Sequence, residues 1–210
     1  MTLTLGFAII SGVIYLSGFI PYIYHVFHGK VVPHAFSWSI WATLSVIWTI
    51  WIIESANSTA LISPIIRTTC LIIGATIGWI YIKKISITWF DYISLMLAVW
   101  VIIIAFNFWV TKALIPMILI DFLVLTPTLK KIWINPGSED AIAWFTTTIS
   151  QIFLIASIGT YTFESSIYWI YIMIINVFVW IFIILRFRYT QTWKYKFLSI
   201  YKKLIKKTPL

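Results

Sequence analysis

Asp121 sits in the apolar run PMILIDFLVLTP, where an unpaired carboxylate costs at least about 2.5 kcal/mol to insert into a bilayer. A group that costly faces the interior of a helix bundle. There it can relay a proton, accept hydrogen bonds from a solute, or pair with a cation. Arg67, in SPIIRTTCL, supplies a cation. Counted from the outer ends of the runs that hold them, at about 1.5 Å of helix rise per residue, both lie about 10–12 Å deep. The expectation is that they converge and can pair. Asn176, amid MIINVFVW, needs a hydrogen-bond partner in an equally apolar setting, so it either lines a cavity or joins two helices. Trp48, about 12 residues into its own run, is placed either to stack on a ligand or to fill core.

The stretch GFIPYIYHVFHGKVVPHAFSW places His25, His28 and His34 where an apolar helix ends. His25 and His28 are one helical turn apart, but no carboxylate or thiolate in this stretch completes a ligand set, so no metal is expected. Interfacial histidines that titrate near neutral pH are the better account. In NPGSED, Asn135 to Asp140, Ser138 reads as the N-cap of the next helix, with Glu139 and Asp140 on the positive end of its dipole. Cys70, the one cysteine, lies inside an apolar run and reads as small core. No Gly-rich phosphate loop, nucleophile elbow, HExxH or paired catalytic carboxylates appear, so neither an enzyme nor a cofactor is expected.

The elements that hold these residues are membrane helices. The 210-residue chain is 61% hydrophobic and 10% charged, against roughly 25% charged in soluble domains, and its mean hydropathy is +0.99. Apolar runs fall at about 5–27, 36–53, 62–82, 89–109, 113–129, 141–161 and 167–187, each near the length that crosses a bilayer core of about 30 Å. The first run has no basic flank before it and no small-residue cleavage site after it, so it is expected to be retained. An N-terminus outside places 13 of the 15 basic residues in cytoplasmic segments, leaving only Arg67 and Lys112 opposite. The positive-inside rule therefore predicts N-out and C-in in a plasma or inner membrane. Net charge +9 is thereby explained without nucleic acid. Trp51, Trp89, Trp109, Trp133 and Trp169 fall at the ends of runs and read as interfacial belts. The small or polar Thr68, Thr69 and Gly74, and the stretch Thr146 to Gln151, read as close helix packing. In the tail, Phe197, Ile200, Tyr201, Leu204 and Ile205 share one helical face among lysines, as in a short helix lying on an anionic inner leaflet.

An internal repeat organises the chain. An offset of 106 residues carries Pro21 onto Pro127 and Trp38 onto Trp144, each pair bracketing a polar loop. The expected layout is a first triple-helix bundle at 1–87, a linker helix at 88–111, a second bundle at 112–188 and a basic tail at 189–210. With an odd linker, both bundles cross the membrane in the same sense, giving a parallel repeat. Each proline, one at the end of each of two helices, is read either as a hinge or as a fixed helix end.

The stretches SGFIPYIYHVFHGKVVPHAFSWSIWATLSVIW and DFLVLTPTLKKIWINPGSEDAIAWFTTTISQ resemble the two motifs of the PQ-loop superfamily, which includes SWEET sugar transporters, their half-size bacterial relatives, lysosomal amino-acid exporters and the KDEL receptor. The PYI, GK, PH, SW and P, W, P, SED, W elements are most similar to small bacterial members. The resemblance covers about residues 5 to 187. The glutamine of the superfamily's name is replaced by Tyr22 and Thr128. The resemblance implies a 3+1+3 all-α fold around a central pathway, with alternating access that bends near Pro21 and Pro127 and is gated by Trp38 and Trp144. It also implies that Trp48 and Asn176 face a solute. Their repeat-mates differ, being Leu154 and a residue near Cys70 to Ile73. The expected function is transport of a small polar solute, sugar-like or another small metabolite, bound by Trp48, Asp121, Asn176 and Arg67, with protons as a candidate co-solute. The alternatives are a membrane receptor that uses the same cavity without transport, and a structural membrane subunit; assembly into a homo-oligomer stays open.

Overall fold

A computed structural model describes residues 2–54, 61–81, 88–108 and 110–207. Lys83, Lys84 and Trp109 lie outside the described residues, as do the side chains of Lys112 and of the tail beyond Thr190. Among the described residues the chain is all-helical. It comprises α1 (Thr2–Phe27), α2 (Ala35–Glu54), α3 (Ile62–Ile80), α4 (Trp89–Phe108), α5 (Val110–Ile134), α6 (Ala141–Ser157) and α7 (Phe163–Lys207), with a 3₁₀ turn at Pro136–Ser138 before α6. Among the described residues, four segments are long and apolar enough to cross a membrane: Leu3–Phe27, Ala35–Ile53, Ile62–Ile80 and Ser165–Thr190. Ile20, Ile80, Met96, Leu119 and Ile174 are each more than half exposed, a surface suited to lipid rather than water.

The ends of the helices follow local chemistry. α1 stops at a left-handed Gly29 (φ 67°), whose N–H donates to Val26 O at 2.9 Å while Lys30 N donates to His25 O at 3.0 Å, which satisfies carbonyls the ended helix would strand. α6 is capped by Asp140, which accepts from Ile142 N and Ala143 N. This corrects the expectation for Ser138, whose hydroxyl instead donates to Asn135 O at 2.6 Å inside the 3₁₀ turn. A carboxylate at this position also meets the positive end of the helix dipole, an advantage a serine hydroxyl lacks. His34 holds the equivalent place before α2, with Ser37 N donating to its Nδ1 at 3.4 Å. α2 and α6 thus begin 106 residues apart, at Ala35 and Ala141.

Pro21 and Pro127 lie inside α1 and α5, which corrects their placement at helix ends. Each removes one backbone bond, that to the carbonyl four residues earlier, while the helix runs on to Phe27 or Ile134. The basic tail is likewise not a separate element, because α7 continues unbroken for 45 residues. At about 1.5 Å per residue this is about 67 Å, twice a bilayer core.

In the packing, α3 contacts both α1 and α2, and α7 contacts both α5 and α6; across the middle α1 meets α6 and α2 meets α5, while α4 lies on α5 and α2. The α1–α6 seam is the closer. A Cβ on Gly18 would fall 1.8 Å from Thr146 Oγ1, and Ser11 Oγ donates to Ser150 O at 2.8 Å while Ser150 Oγ returns a bond to Ser11 O at 2.9 Å. Ser63 of α3 joins them at 2.7 Å. Between α2 and α3, Gly74 lies beneath Trp38, whose ring would be 2.0 Å from an added Cβ. Gly74, Thr146 and Ser150 are packing residues in these contacts, whereas Thr69 is exposed and donates to Ile65 O on its own helix at 2.9 Å.

Candidate functional site

Between α1–α3 and α5–α7 lies a cavity of about 120 Å³. At roughly 30 Å³ per water, this is room for about four waters or a small solute. Its walls include four pairs of positions that are 106 residues apart: Tyr15 and Asp121, Phe19 and Leu125, Trp38 and Trp144, Trp41 and Thr147. Arg67, Glu139, Tyr168, Trp169 and Asn176 complete its polar and aromatic character.

One wall is a chain of rings. Tyr22 meets Trp38 at 5.2 Å, Trp38 meets Trp41 at 6.2 Å with its ring edge-on, and Trp41 meets Trp144 at 6.1 Å. Edge-to-face contacts of this kind hold large side chains in fixed orientations. Gly74 makes the wall possible, because any larger residue would push Trp38 into the cavity.

The two buried charges both face this space, but they do not pair with each other. Asp121, 3% exposed, accepts from Tyr171 Oη at 2.9 Å. Arg67, 6% exposed, lies over the Tyr15 ring at 4.5 Å and the Trp169 ring at 5.9 Å. With the Gln151 amide turned so that its oxygen faces the guanidinium, that oxygen accepts from Nη1 at 2.8 Å and Nη2 at 3.2 Å; the hydrogen-bond network assigns this orientation. Arg67 Nε is buried without a partner. Similar depth thus brought the two charges to one cavity, while helix rotation gave each a neutral neighbour.

Asn176 also lines the cavity, and its Nδ2 donates to Ile172 O at 2.7 Å on its own helix, so its bond does not join two helices. Trp48 is off the cavity wall. It is 1% exposed in the core, stacked against Trp169 at 5.6 Å and tilted against Tyr168 at 5.0 Å, so a ligand meets Trp169 with Trp48 behind it. Trp169 is correspondingly 3% exposed, a core residue rather than part of an interfacial belt. Tyr15, Tyr168, Tyr171 and Gln151 are site residues that composition alone did not single out. For two of them the sequence signal is the 106-residue offset, which maps Tyr15 onto Asp121 and Ser45 onto Gln151; Tyr168 and Tyr171 map onto Ile62 and Ile65 and carry none.

At the loop end the three histidines separate. His25 Nδ1 lies 2.6 Å from Asp140 Oδ2, His28 Nδ1 donates to Tyr24 O at 2.8 Å, and His34 contacts Ser37 Oγ at 3.0 Å and Asp91 at 3.6 Å. Burial holds His34 below its ordinary range, against the opposing pull of Asp91. Lys131 pairs with Glu139 and donates to Val32 O at 2.7 Å, and Trp144 Nε1 donates to Glu139 Oε2 at 3.4 Å. The two acids of the loop are thus held by His25 and Lys131. Among the described residues no three His, Cys, Asp or Glu side chains converge as metal ligands. Compared with known proteins, the chain matches no family model, no curated protein and no solved structure.

Proposed function

We propose that the chain is a seven-span membrane transporter of the PQ-loop type, which moves a small polar solute by alternating access through the cavity between α1–α3 and α5–α7. The observation that carries this is the cavity itself: its walls include four pairs of positions 106 residues apart, and it holds Arg67 and Asp121 among mostly apolar and aromatic side chains. Charges are retained at such depth where they serve a pathway. α4 acts as the linker. Pro21 and Pro127, each followed directly by a buried residue, Tyr22 or Thr128, are the bending points, and Trp38 and Trp144 line the passage they open. The N-terminus is outside and the basic C-terminus cytoplasmic.

The test is flux in liposomes that contain the purified full chain, using radiolabelled glucose, alanine and lactate. Saturable entry of at least one, competed by its unlabelled form, is expected. Saturable binding without entry would make the protein a receptor. Neither binding nor entry, with folded protein, would leave a structural subunit. If Asp121→Asn left uptake and its pH dependence unchanged, Asp121 would not be a proton relay.

A further inference from the structure

We infer that the solute is a small zwitterion, with a carboxylate that docks on Arg67 and an amine that docks on Asp121. This rests on the cavity being the solute site.

The argument begins with what surrounds each charge. Arg67 is held by an amide oxygen and two ring faces, all neutral, and its Nε is buried and unpartnered. The ion pairs among the described residues join His25 to Asp140, His34 to Asp91 and Lys131 to Glu139; neither Arg67 nor Asp121 takes part. Asp121 has a neutral phenol. Neutral dipoles orient a buried ion without cancelling its charge, and an uncompensated charge in a low-dielectric interior is costly. Both ions line one cavity, from α3 and α5. A solute can therefore compensate both at once.

Candidate solutes differ in how they meet this pair. A sugar offers hydroxyls and leaves both charges uncompensated. A simple carboxylate satisfies Arg67 but brings a second anion toward Asp121. A simple amine does the reverse. An amino acid presents both groups, and a cavity of about 120 Å³ limits it to a short side chain. Tyr15 and Trp169, already against the guanidinium, fix the plane in which the carboxylate meets it. Asn176 adds a polar group on the same wall.

The test is equilibrium binding to the purified full chain in detergent, with alanine, β-alanine and 4-aminobutyrate, which vary the spacing of the two charges. Propionate, ethylamine and glucose are the single-charge and neutral counterparts. At least one zwitterion should bind at least about tenfold more tightly than all three counterparts. Asp121→Asn should erase the preference over propionate, and Arg67→Gln the preference over ethylamine. The wild-type panel decides the matter even if a variant fails to fold. Propionate, ethylamine or glucose binding as tightly as the best zwitterion would overturn the inference. Glucose entry into liposomes without zwitterion binding would overturn it while leaving transport intact. Zwitterion binding without entry would uphold it and remove transport.

Discussion

The loop end of the cavity offers a direct test of how the passage opens, because its two cross-links lie on different seams. On the α1–α6 seam, His25 meets Asp140, and below them Gly18 and the paired serines bring the backbones together. On the α2–α5 side, Ser37 Oγ donates to Val124 O at 3.1 Å, and Lys131 reaches Val32 O under the hold of Glu139. Under the proposed alternating access, the close seam would be the fulcrum and the other the one that parts. Glu139→Gln keeps an acceptor for Lys131 but removes its charge. Bonds to charged groups contribute about 1.5–3 kcal/mol and neutral ones about 0.5–1.5. Lys131 is partly exposed, so solvent screening trims the difference to about 1 kcal/mol, which is about fivefold in the population of the opened state. The readout is the rate at which a membrane-impermeant maleimide labels Thr147→Cys on the cavity wall, in a Cys70→Ala background. Glu139→Gln should raise that rate about fivefold. Asp140→Asn, which preserves the cap of α6 because Asn caps as well as Asp, should leave it within about twofold. Equal acceleration by both variants, or none by Glu139→Gln, would refute the assignment of fulcrum and opening seam.

Other consequences are simpler to measure. Gly74→Ala drives a methyl into the Trp38 ring and should cost about 1–3 kcal/mol, the usual penalty of overpacking, seen as a lower midpoint of thermal unfolding in detergent; an unchanged midpoint would show that Trp38 can yield. Trp48→Phe should lower stability by less than about 2 kcal/mol, because the lost ring area is partly offset by removing an indole N–H buried without a partner. Its solute affinity should stay within about twofold, and a larger change would return Trp48 to the binding surface. His34 is held below its ordinary range by burial, so between the unfolded value near 6.5 and its lower folded value the unfolded chain binds more protons. That contribution to stability is therefore present above about pH 6.5 and is lost as pH falls toward the folded value. Unfolding midpoints at pH 7.5 and 5.5 should show it, and His34→Asn, which caps α2 without titrating, should flatten the difference.

Much of the helical framework was legible because exclusion from water acts along one dimension. The run at 36–53 became Ala35–Glu54 and the run at 89–109 became Trp89–Phe108, since an apolar stretch ends where the chain meets polar loops. Depth was legible for the same reason, and it brought Arg67, Asp121 and Asn176 to one cavity. Rotation was not. Which neighbour a buried group faces depends on crossing angles and seam spacing, so Gln151 for Arg67, Tyr171 for Asp121 and Asp140 for His25, 115 residues away, left no local signal. Trp48 shows the same limit. Its position along α2 is suited to a ligand, but its azimuth points into a cluster with Trp51, Tyr168 and Trp169.

The 106-residue relation divides into what packing holds constant and what a solute drives apart. Helix starts at Ala35 and Ala141, the internal prolines, and the large rings of Trp38 and Trp144 are alike in both halves, because equivalent seams need equivalent shapes. The cavity-facing pairs between them are not alike. Tyr15 corresponds to an acid in Asp121 and Trp41 to a small hydroxyl in Thr147, while the cavity-lining Ser45 corresponds to Gln151, which lies off the wall against Arg67. The first half supplies rings and the guanidinium, and the second supplies the carboxylate, Asn176, and the amide that holds the guanidinium from across the seam. A symmetric cavity would bind a dipolar solute equally well in two reversed poses. These substitutions remove that degeneracy, since reversal would set carboxylate against Asp121 and amine against Arg67, two like-charge contacts in a low dielectric. Under the proposed binding, one orientation of the solute would be selected before either end of the passage moves.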